Sequence, residues 1–286
     1  GYKSFAKAFM KRNNIPTAAY AEFDYTMTEQ TLEYLLNQKY PLVIKADGLA
    51  AGKGVAICNS FEESKNVIEE YFIKKTFGKA GEKIIIEEFM EGYEVSVFAV
   101  TDGNDFICLP SSQDHKKIGE GDTGKNTGGM GAYSPVPFLT AEKLKTIEEK
   151  IIDPTINGLR NEGKKFIGCL YAGLMITSDG PKVVEFNCRF GDPETQAVLP
   201  LLEGDFLKLL LSAAEGNLNK NAVSYSSASA ITVVAASGGY PDDFRKGYLI
   251  EGLDTINLKD VLIFHAGTIE SDGKIYTNGG RVLAVT

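Results

Sequence analysis

Long apolar runs are missing from this sequence: no stretch of about 18 consecutive hydrophobic residues occurs, which excludes a membrane-spanning helix. The opening residues, Gly1-Tyr2-Lys3-Ser4, form no hydrophobic signal region, so an unanchored cytoplasmic protein is expected. The chain does not begin with methionine, and a processed or cut terminus is the corresponding expectation. Cysteine is scarce. Cys58, Cys108, Cys169 and Cys188 lie far apart, matching neither a CxxC metal site nor a small disulfide framework, and read as reduced thiols. Basic residues are also short: 30 Lys and Arg stand against 38 Asp and Glu, a formal net charge of −8. This balance argues against a general nucleic-acid or anionic-membrane surface, because such partners are drawn by excess cations. Any phosphate must be met by a local arrangement. The P-loop form GxxxxGK[ST] is absent as well, since Lys53 is followed by Gly54.

What is present suits a globular protein. The 286 residues are 43% hydrophobic and 24% charged, enough for a sizeable core, and at about 150 residues per domain they suggest roughly two units. Phe5, Ala8 and Phe9 at helical spacing predict a short amphipathic helix ending before Pro16. Leu42 to Ile44 predicts a buried strand, followed by the glycine-rich run Asp47-Gly48-Leu49-Ala50-Ala51-Gly52-Lys53-Gly54 and a second strand at Val55 to Ile57. Ser60 with Glu63 is a capping box, opening a helix to about Phe72. Strands follow at Lys83 to Glu88 and Glu94 to Thr101. The polar, glycine-rich segment from Ser111 to Tyr133 reads as one long loop, a length that is usually functional or disordered. Helix from Ala141 should break at Pro154, and a hairpin turning at Ser178-Asp179-Gly180-Pro181 joins Leu170 to Thr177 with Lys182 to Asn187. Glu194 to Leu202 and Phe206 to Ala214 look helical. From about Ser226 short strands take over, at Ala230 to Ala235, Val261 to His265, Lys274 to Thr277 and Gly280 to Val285.

Four features carry chemistry. A glycine-rich turn between two strands can close over phosphates with its backbone N–H groups, with Lys45 and Lys53 supplying charge; it can equally be a tight structural turn. In the hairpin, alternation along the second strand puts Glu185 and Asn187 on one side, and Arg189 would continue that face. A carboxylate and an amide oxygen so placed suit Mg²⁺, which takes its remaining ligands from water and phosphate; the bland reading is an exposed polar face. Gln113-Asp114-His115-Lys116-Lys117 and Asn126-Thr127-Gly128-Gly129-Met130-Gly131 crowd an acid, one of the two histidines, lysines and glycines into one segment, either for binding or as a solvated loop. Glu87-Glu88-Phe89-Met90 and Glu94 offer backbone groups, an apolar wall and carboxylates at a strand end, suited to adenine and ribose or simply to solvent.

Taken together, the order and wording of Lys45 to Val55, Gln113 to Lys116, Asn126 to Tyr133 and Glu185-Phe186-Asn187-Cys188-Arg189-Phe190-Gly191-Asp192-Pro193-Glu194-Thr195-Gln196 resemble the phosphoribosylamine–glycine ligases (glycinamide ribonucleotide synthetases). The resemblance extends from Lys3-Ser4-Phe5 through Phe264-His265-Ala266-Gly267-Thr268 to Asn278-Gly279-Gly280-Arg281-Val282-Leu283. It implies an α/β (α+β) ATP-grasp fold: a core over 1–20 and 88–222, a lid subdomain over 21–87, and a C-terminal β-rich subdomain over 223–286. It also implies a family N-terminal domain absent from this chain. Residue by residue, Glu87, Glu88, Phe89 and Met90 would hold adenine, and Glu94 ribose. Lys45, Gly48, Gly52, Lys53 and Gly54 would meet phosphates. Lys117 and Asn126 would face the nucleotide, and Glu185 and Asn187 would hold Mg²⁺ or Mn²⁺, both of which accept oxygen ligands.

The implied reaction joins glycine to 5-phosphoribosylamine at the expense of ATP, through glycyl phosphate, in purine biosynthesis. Arg189 would meet carboxylate or γ-phosphate oxygens, Asp114 would anchor an amine, and His115 would order its loop. Three positions depart from the family pattern: Lys117 for Arg, which loses a planar phosphate fork, Lys125 for Pro, and Tyr2 for Ser. Two alternatives stand beside this reading, a truncated ATP-binding fragment and another ATP-grasp carboxylate–amine ligase. Neither nucleic acid nor membrane is expected as a partner, and oligomeric state is left open.

Overall fold

The computed structural model describes residues 2–48, 50, 54–256 and 259–286. It divides into two compact units, Gly1–Glu94 with Leu144–Lys165 and Ala172–Phe186, and Val95–Lys143 with Phe166–Tyr171 and Asn187–Thr286.

The first unit is built on an antiparallel four-stranded sheet in the order Tyr20–Asp24, Lys83–Glu88, Leu42–Ala46, Val55–Cys58. Its two faces separate by alternation. Leu42, Ile44, Ala46, Ile84 and Ile86 turn to one side and form a core with Leu35 and Ile68 of the helices Thr28–Leu36 and Phe61–Ile68. Residues of the other parity, including Lys45 and Glu87, face away from that core. Ser60 caps the second helix by accepting from the Glu63 N–H at 3.2 Å. The reciprocal arm of the capping box lands one residue early, with Glu63 accepting from Asn59 N–H at 2.8 Å. That helix passes at Glu69–Ile73 into a wider π turn.

The opening helix spans Lys3–Arg12, but its inward face differs from the expected one. Lys7, Phe9 and Met10 are buried, whereas Phe5 and Ala8 are exposed. The Phe5 ring finds cations instead, with the Lys164 ammonium 4.8 Å and the Arg12 guanidinium 5.7 Å from its centre. Arg12 also donates to both oxygens of Glu162 at 2.6 and 2.8 Å, which holds that carboxyl down at about 2. Pro154 does not break the later helix. Ala141–Ile147 widens into a π turn at Glu148–Ile152, and Pro154 then stands in the first turn of Asp153–Asn161, directly after that wider turn.

In the second unit a five-stranded antiparallel sheet runs in the order Ile263–His265, Arg281–Val285, Ala230–Ala236, Gly131–Ser134, Gln113–Asp114. The segment expected to be one long loop is therefore largely strand. Besides Gln113–Asp114 and Gly131–Ser134, it contains the hairpin Lys117–Gly119 with Thr123–Asn126. Glycines and polar side chains on exposed strands erase the alternation by which a strand is recognised. Phe98, Leu109, Tyr171, Val198 and Leu209 lie at the centre of this unit's core. Glu194–Val198 is helical, but Leu202–Gly204 is a strand rather than the end of that helix.

A further four-stranded sheet, in the order Gly180–Asn187, Gly168–Thr177, Tyr93–Thr101, Phe106–Cys108, contributes residues to both units. The hairpin is as expected, with Gly180 at φ 112° closing a two-residue turn.

Candidate functional site

Side chains with chemical potential lie in both units. In the first unit, Val43 and Tyr20 both stand opposite Glu87 across the ladder, so Lys45, two residues beyond Val43, lies diagonally beside Glu87 on the same face. Lys45 Nζ donates to Glu87 Oε2 at 2.9 Å, and the other carboxylate oxygen, Oε1, meets Lys7 Nζ at 3.2 Å. All three groups are buried. The Glu87 side chain is thus committed to two lysines, and what it leaves for an adenine is its backbone.

Glu88 is tied down differently. Its Oε1 accepts from Ala19 N–H at 3.0 Å and lies 3.5 Å from Lys182 Nζ. Phe89 is exposed and Met90 half-buried, both just past the strand end, and Glu94 is exposed near the start of the next strand.

Of the glycine-rich run, Gly52 and Lys53 lie outside the described residues, while both ends are described. A Cβ on Gly48 would come 2.7 Å from Ala80 Cα, and one on Gly54 2.6 Å from Ala50 Cβ, so packing alone demands glycine at these ends. Asp47 anchors the run to the opening helix, accepting from Ser4 N–H at 2.6 Å and Ser4 Oγ at 2.9 Å. This is a helix cap supplied from a distant strand end. Lys3 Nζ donates to Ala46 O at 2.7 Å and Gly48 O at 3.3 Å. Burial lowers the Lys3 pKa and Lys45 lowers it further, while the carboxylate of Glu185 opposes both. Glu185 itself is exposed on the strand Gly180–Asn187, with Asn187 half-buried at its end.

Arg189 does not continue that strand face. The strand stops at Asn187, the chain bends, and Arg189 Nη1 turns onto Phe190 O at 2.8 Å. Among the described residues no group of three or more His, Cys, Asp or Glu could hold a metal. A carboxylate and an amide oxygen alternating on one strand remain compatible with a hard cation that completes its shell from phosphate and water.

In the second unit, Lys117 and Asn126 stand directly opposite each other in their hairpin. Asp114 pairs with Ala132 on the sheet edge, with Lys116 Nζ 3.9 Å from its carboxylate. His115 is exposed; its backbone N–H donates to Gly131 O at 2.9 Å and its carbonyl accepts from Met130 N–H at 2.7 Å. Its ring centre lies 6.0 Å from that of Tyr133.

Lys7, Arg281, Tyr240 and Glu194 have no role legible in the sequence, and of these Arg281 and Tyr240 brace this segment. Arg281 donates to Gly128 O at 2.9 Å, Asp192 O at 3.1 Å and Asp192 Oδ2 at 2.9 Å, so one guanidinium ties the glycine cluster to the chain after Arg189. Tyr240 Oη accepts from Gly128 N–H at 3.0 Å. Glu194, buried, accepts from Ser96 Oγ at 3.2 Å and Tyr171 Oη at 3.0 Å, and burial with the Glu194 charge drives the Tyr171 pKa upward. A lysine on the inward stripe of an amphipathic helix was the available signal for Lys7. Arg281 stands in the resembling stretch Asn278 to Leu283, but nothing local names its partners, which lie 89 to 153 residues away.

Gly129 marks how tightly this segment is held. Its φ is 111°, and a Cβ there would fall on the Pro193 ring. Gly129→Ala is expected to lower the unfolding free energy by about 1–3 kcal/mol, since strain and a clash act together. Urea titration of the variant against the parent chain checks this; an unchanged midpoint would show that the backbone relaxes freely.

The architecture matches a solved enzyme over nearly its whole extent. The crystal structure of phosphoribosylamine–glycine ligase from Thermotoga maritima superposes with a TM-score of 0.88 at 38% identity, over 99% of this chain and 70% of that one. The fold is thus of the ATP-grasp class, and residues 1–195 match the family model described as phosphoribosylglycinamide synthetase, ATP-grasp (A) domain. Residues 230–286 match the C domain of the same synthetase. The chain belongs to the phosphoribosylglycinamide synthetase family. It is 47% identical to the phosphoribosylamine–glycine ligase of Vibrio parahaemolyticus and 50% identical to a bifunctional purine biosynthetic protein of Pichia angusta, all of this chain aligning in each case. It spans 66% of the first and 36% of the second. No described helix is long and apolar enough to cross a membrane.

Proposed function

We propose that this chain carries the ATP-binding and glycine-activating part of a phosphoribosylamine–glycine ligase. The observation that supports it most is the match to both the ATP-grasp and C domains of one synthetase family. A carboxylate cannot accept an amine until one of its oxygens becomes a leaving group. Transfer of the ATP γ-phosphoryl group to glycine provides this, releasing ADP; the nitrogen of 5-phosphoribosylamine then attacks the acyl carbon, and phosphate departs as glycinamide ribonucleotide forms.

In this reading the protein positions and neutralises rather than reacts covalently. Lys45, with Gly48, Gly52, Lys53 and Gly54, holds the phosphates. The backbone of Glu87 to Met90 receives adenine, with Phe89 as its apolar wall, and Glu94 takes the ribose. Lys117 and Asn126 face the nucleotide from their hairpin. Glu185 and Asn187 hold Mg²⁺ or Mn²⁺, which when bound neutralises β- and γ-phosphate charge. Arg189 meets carboxylate or phosphate oxygens, Asp114 anchors an amine, and His115 orders the segment that carries it. Residues 21–87 form the lid, 1–20 with 88–222 the core and 223–286 the C-terminal subdomain. The setting is the cytoplasm.

ADP release measured with ATP, Mg²⁺, glycine and 5-phosphoribosylamine tests the proposal. ADP formation is expected to require glycine and to fail with other amino acids. A narrower reading, an ATP-binding part that needs the rest of the protein for turnover, is favoured by the chain's partial coverage of its relatives. It predicts ATP binding without glycine-dependent ADP. Equal ADP formation with an unrelated amino acid would overturn the glycine assignment.

A further inference from the structure

Lys7 is 2% exposed, Glu87 3% and Lys45 7%, yet the cluster they form holds two ammonium groups against one carboxylate. Lys7 has no donor to spare: besides Glu87 it contacts Thr17 Oγ1 at 2.8 Å and Ala18 O at 3.4 Å, three partners for three N–H groups. Lys45 is different. Among the described residues its ammonium donates to Glu87 alone, so hydrogens remain for which the described residues supply no acceptor. A surplus positive charge away from water is costly, and it is relieved either by losing a proton or by gaining an anion. Because Lys7 is saturated, the anion has to arrive at Lys45.

We propose that Lys7 is a positioning residue of the nucleotide site: it pins the second oxygen of Glu87 so that Glu87 aims Lys45, and a nucleotide phosphate completes the charge of the cluster. This rests on the nucleotide-binding reading above. The groups facing Lys7 are Glu87 and, more weakly, Glu88 from one strand, Lys45 from the next, and the Tyr20 ring, 5.5 Å away, from the third. Burial lowers the Lys7 pKa to about 8, with Glu87 opposing and Lys45 reinforcing the fall.

Without an anion, Lys7 sheds its proton as pH rises through about 8. A phosphate beside Lys45 favours the charged form again, so nucleotide binding above this pH takes up a proton and affinity falls as pH rises.

The test is calorimetric titration of the chain with ADP and Mg²⁺ between pH 7 and pH 9, in two buffers of different ionisation enthalpy. About half a proton should be taken up at the Lys7 midpoint, and Kd should weaken about tenfold across the range. Lys7→Met should bind ADP more weakly at pH 7 and lose the pH dependence. Lys7→Arg, permanently charged, should bind well and also be flat. The wild-type proton count needs no variant, so a poorly folded Lys7→Met does not weaken the test. A pH-independent wild-type Kd, or a Lys7→Met profile that tracks the wild type, overturns the inference while leaving nucleotide binding intact. Absence of ADP binding by the wild type overturns the nucleotide reading, and this inference with it.

Discussion

Replacing Glu185 with alanine is expected to abolish the tightening of ATP binding by Mg²⁺. The strand Gly180–Asn187 carries one carboxylate and one amide at this end, and of the two only Glu185 brings charge. An amide oxygen alone does not hold a strongly hydrated divalent cation, so loss of the carboxylate leaves phosphate and water as its ligands. The ATP affinity gained on adding Mg²⁺ should shrink by about a hundredfold, the scale of removing one well-placed electrostatic partner. Glu185→Gln, which keeps the shape, should fall nearly as far; Asn187→Ala should lose less. Titration of each variant with ATP, with and without Mg²⁺, separates charge from shape. Metal-dependent tightening that survives in Glu185→Ala would place the cation elsewhere.

The largest effect on stability is expected at Glu87. Glu87→Ala strips the carboxylate from between Lys7 and Lys45 and leaves two buried ammonium groups facing each other. Removing one partner of a buried ion pair typically costs about 3–5 kcal/mol, because the remaining charge is uncompensated. The loss should appear as faster amide exchange in the sheet of Tyr20–Asp24, Lys83–Glu88, Leu42–Ala46 and Val55–Cys58, with the second unit's five-stranded sheet unaffected. Removing the whole cluster, with Lys7→Met, Lys45→Met and Glu87→Leu combined, should restore much of the stability, as apolar replacement of buried ion clusters does elsewhere. A fall of under about 1 kcal/mol for Glu87→Ala would mean that water reaches the lysines.

Glu185 and Asn187 are readable from the chain because alternation along a strand is local: two residues of offset suffice to put them on one side. The same holds for Lys83–Glu88 and the hairpin turning at Ser178-Asp179, which were expected nearly as observed. Where a pattern was diluted, the reading failed. The segment from Ser111 to Tyr133 reads as loop because its strands carry glycine and polar side chains; Ala230–Ala236 on one side and Arg281 nearby are what order it. Arg189 looked like the next residue on the face of Glu185 and Asn187, but the chain bends after Asn187.

By itself the sequence determined which residues could do chemistry and in what order they occur: Lys45, Asp114, Glu185, Asn187 and the glycines between them, because side-chain type and short-range period need no partner to be read. Tertiary structure alone decided which of them are held, and by what. Lys7 meets Glu87 across 80 residues of chain, Asp47 caps a helix 43 residues before it, and Arg281 reaches back 153 residues to Gly128. Contacts at such separations depend on how sheets and helices pack. No local periodicity records them, so a buried lysine and a bracing arginine emerge only once the chain has folded around them.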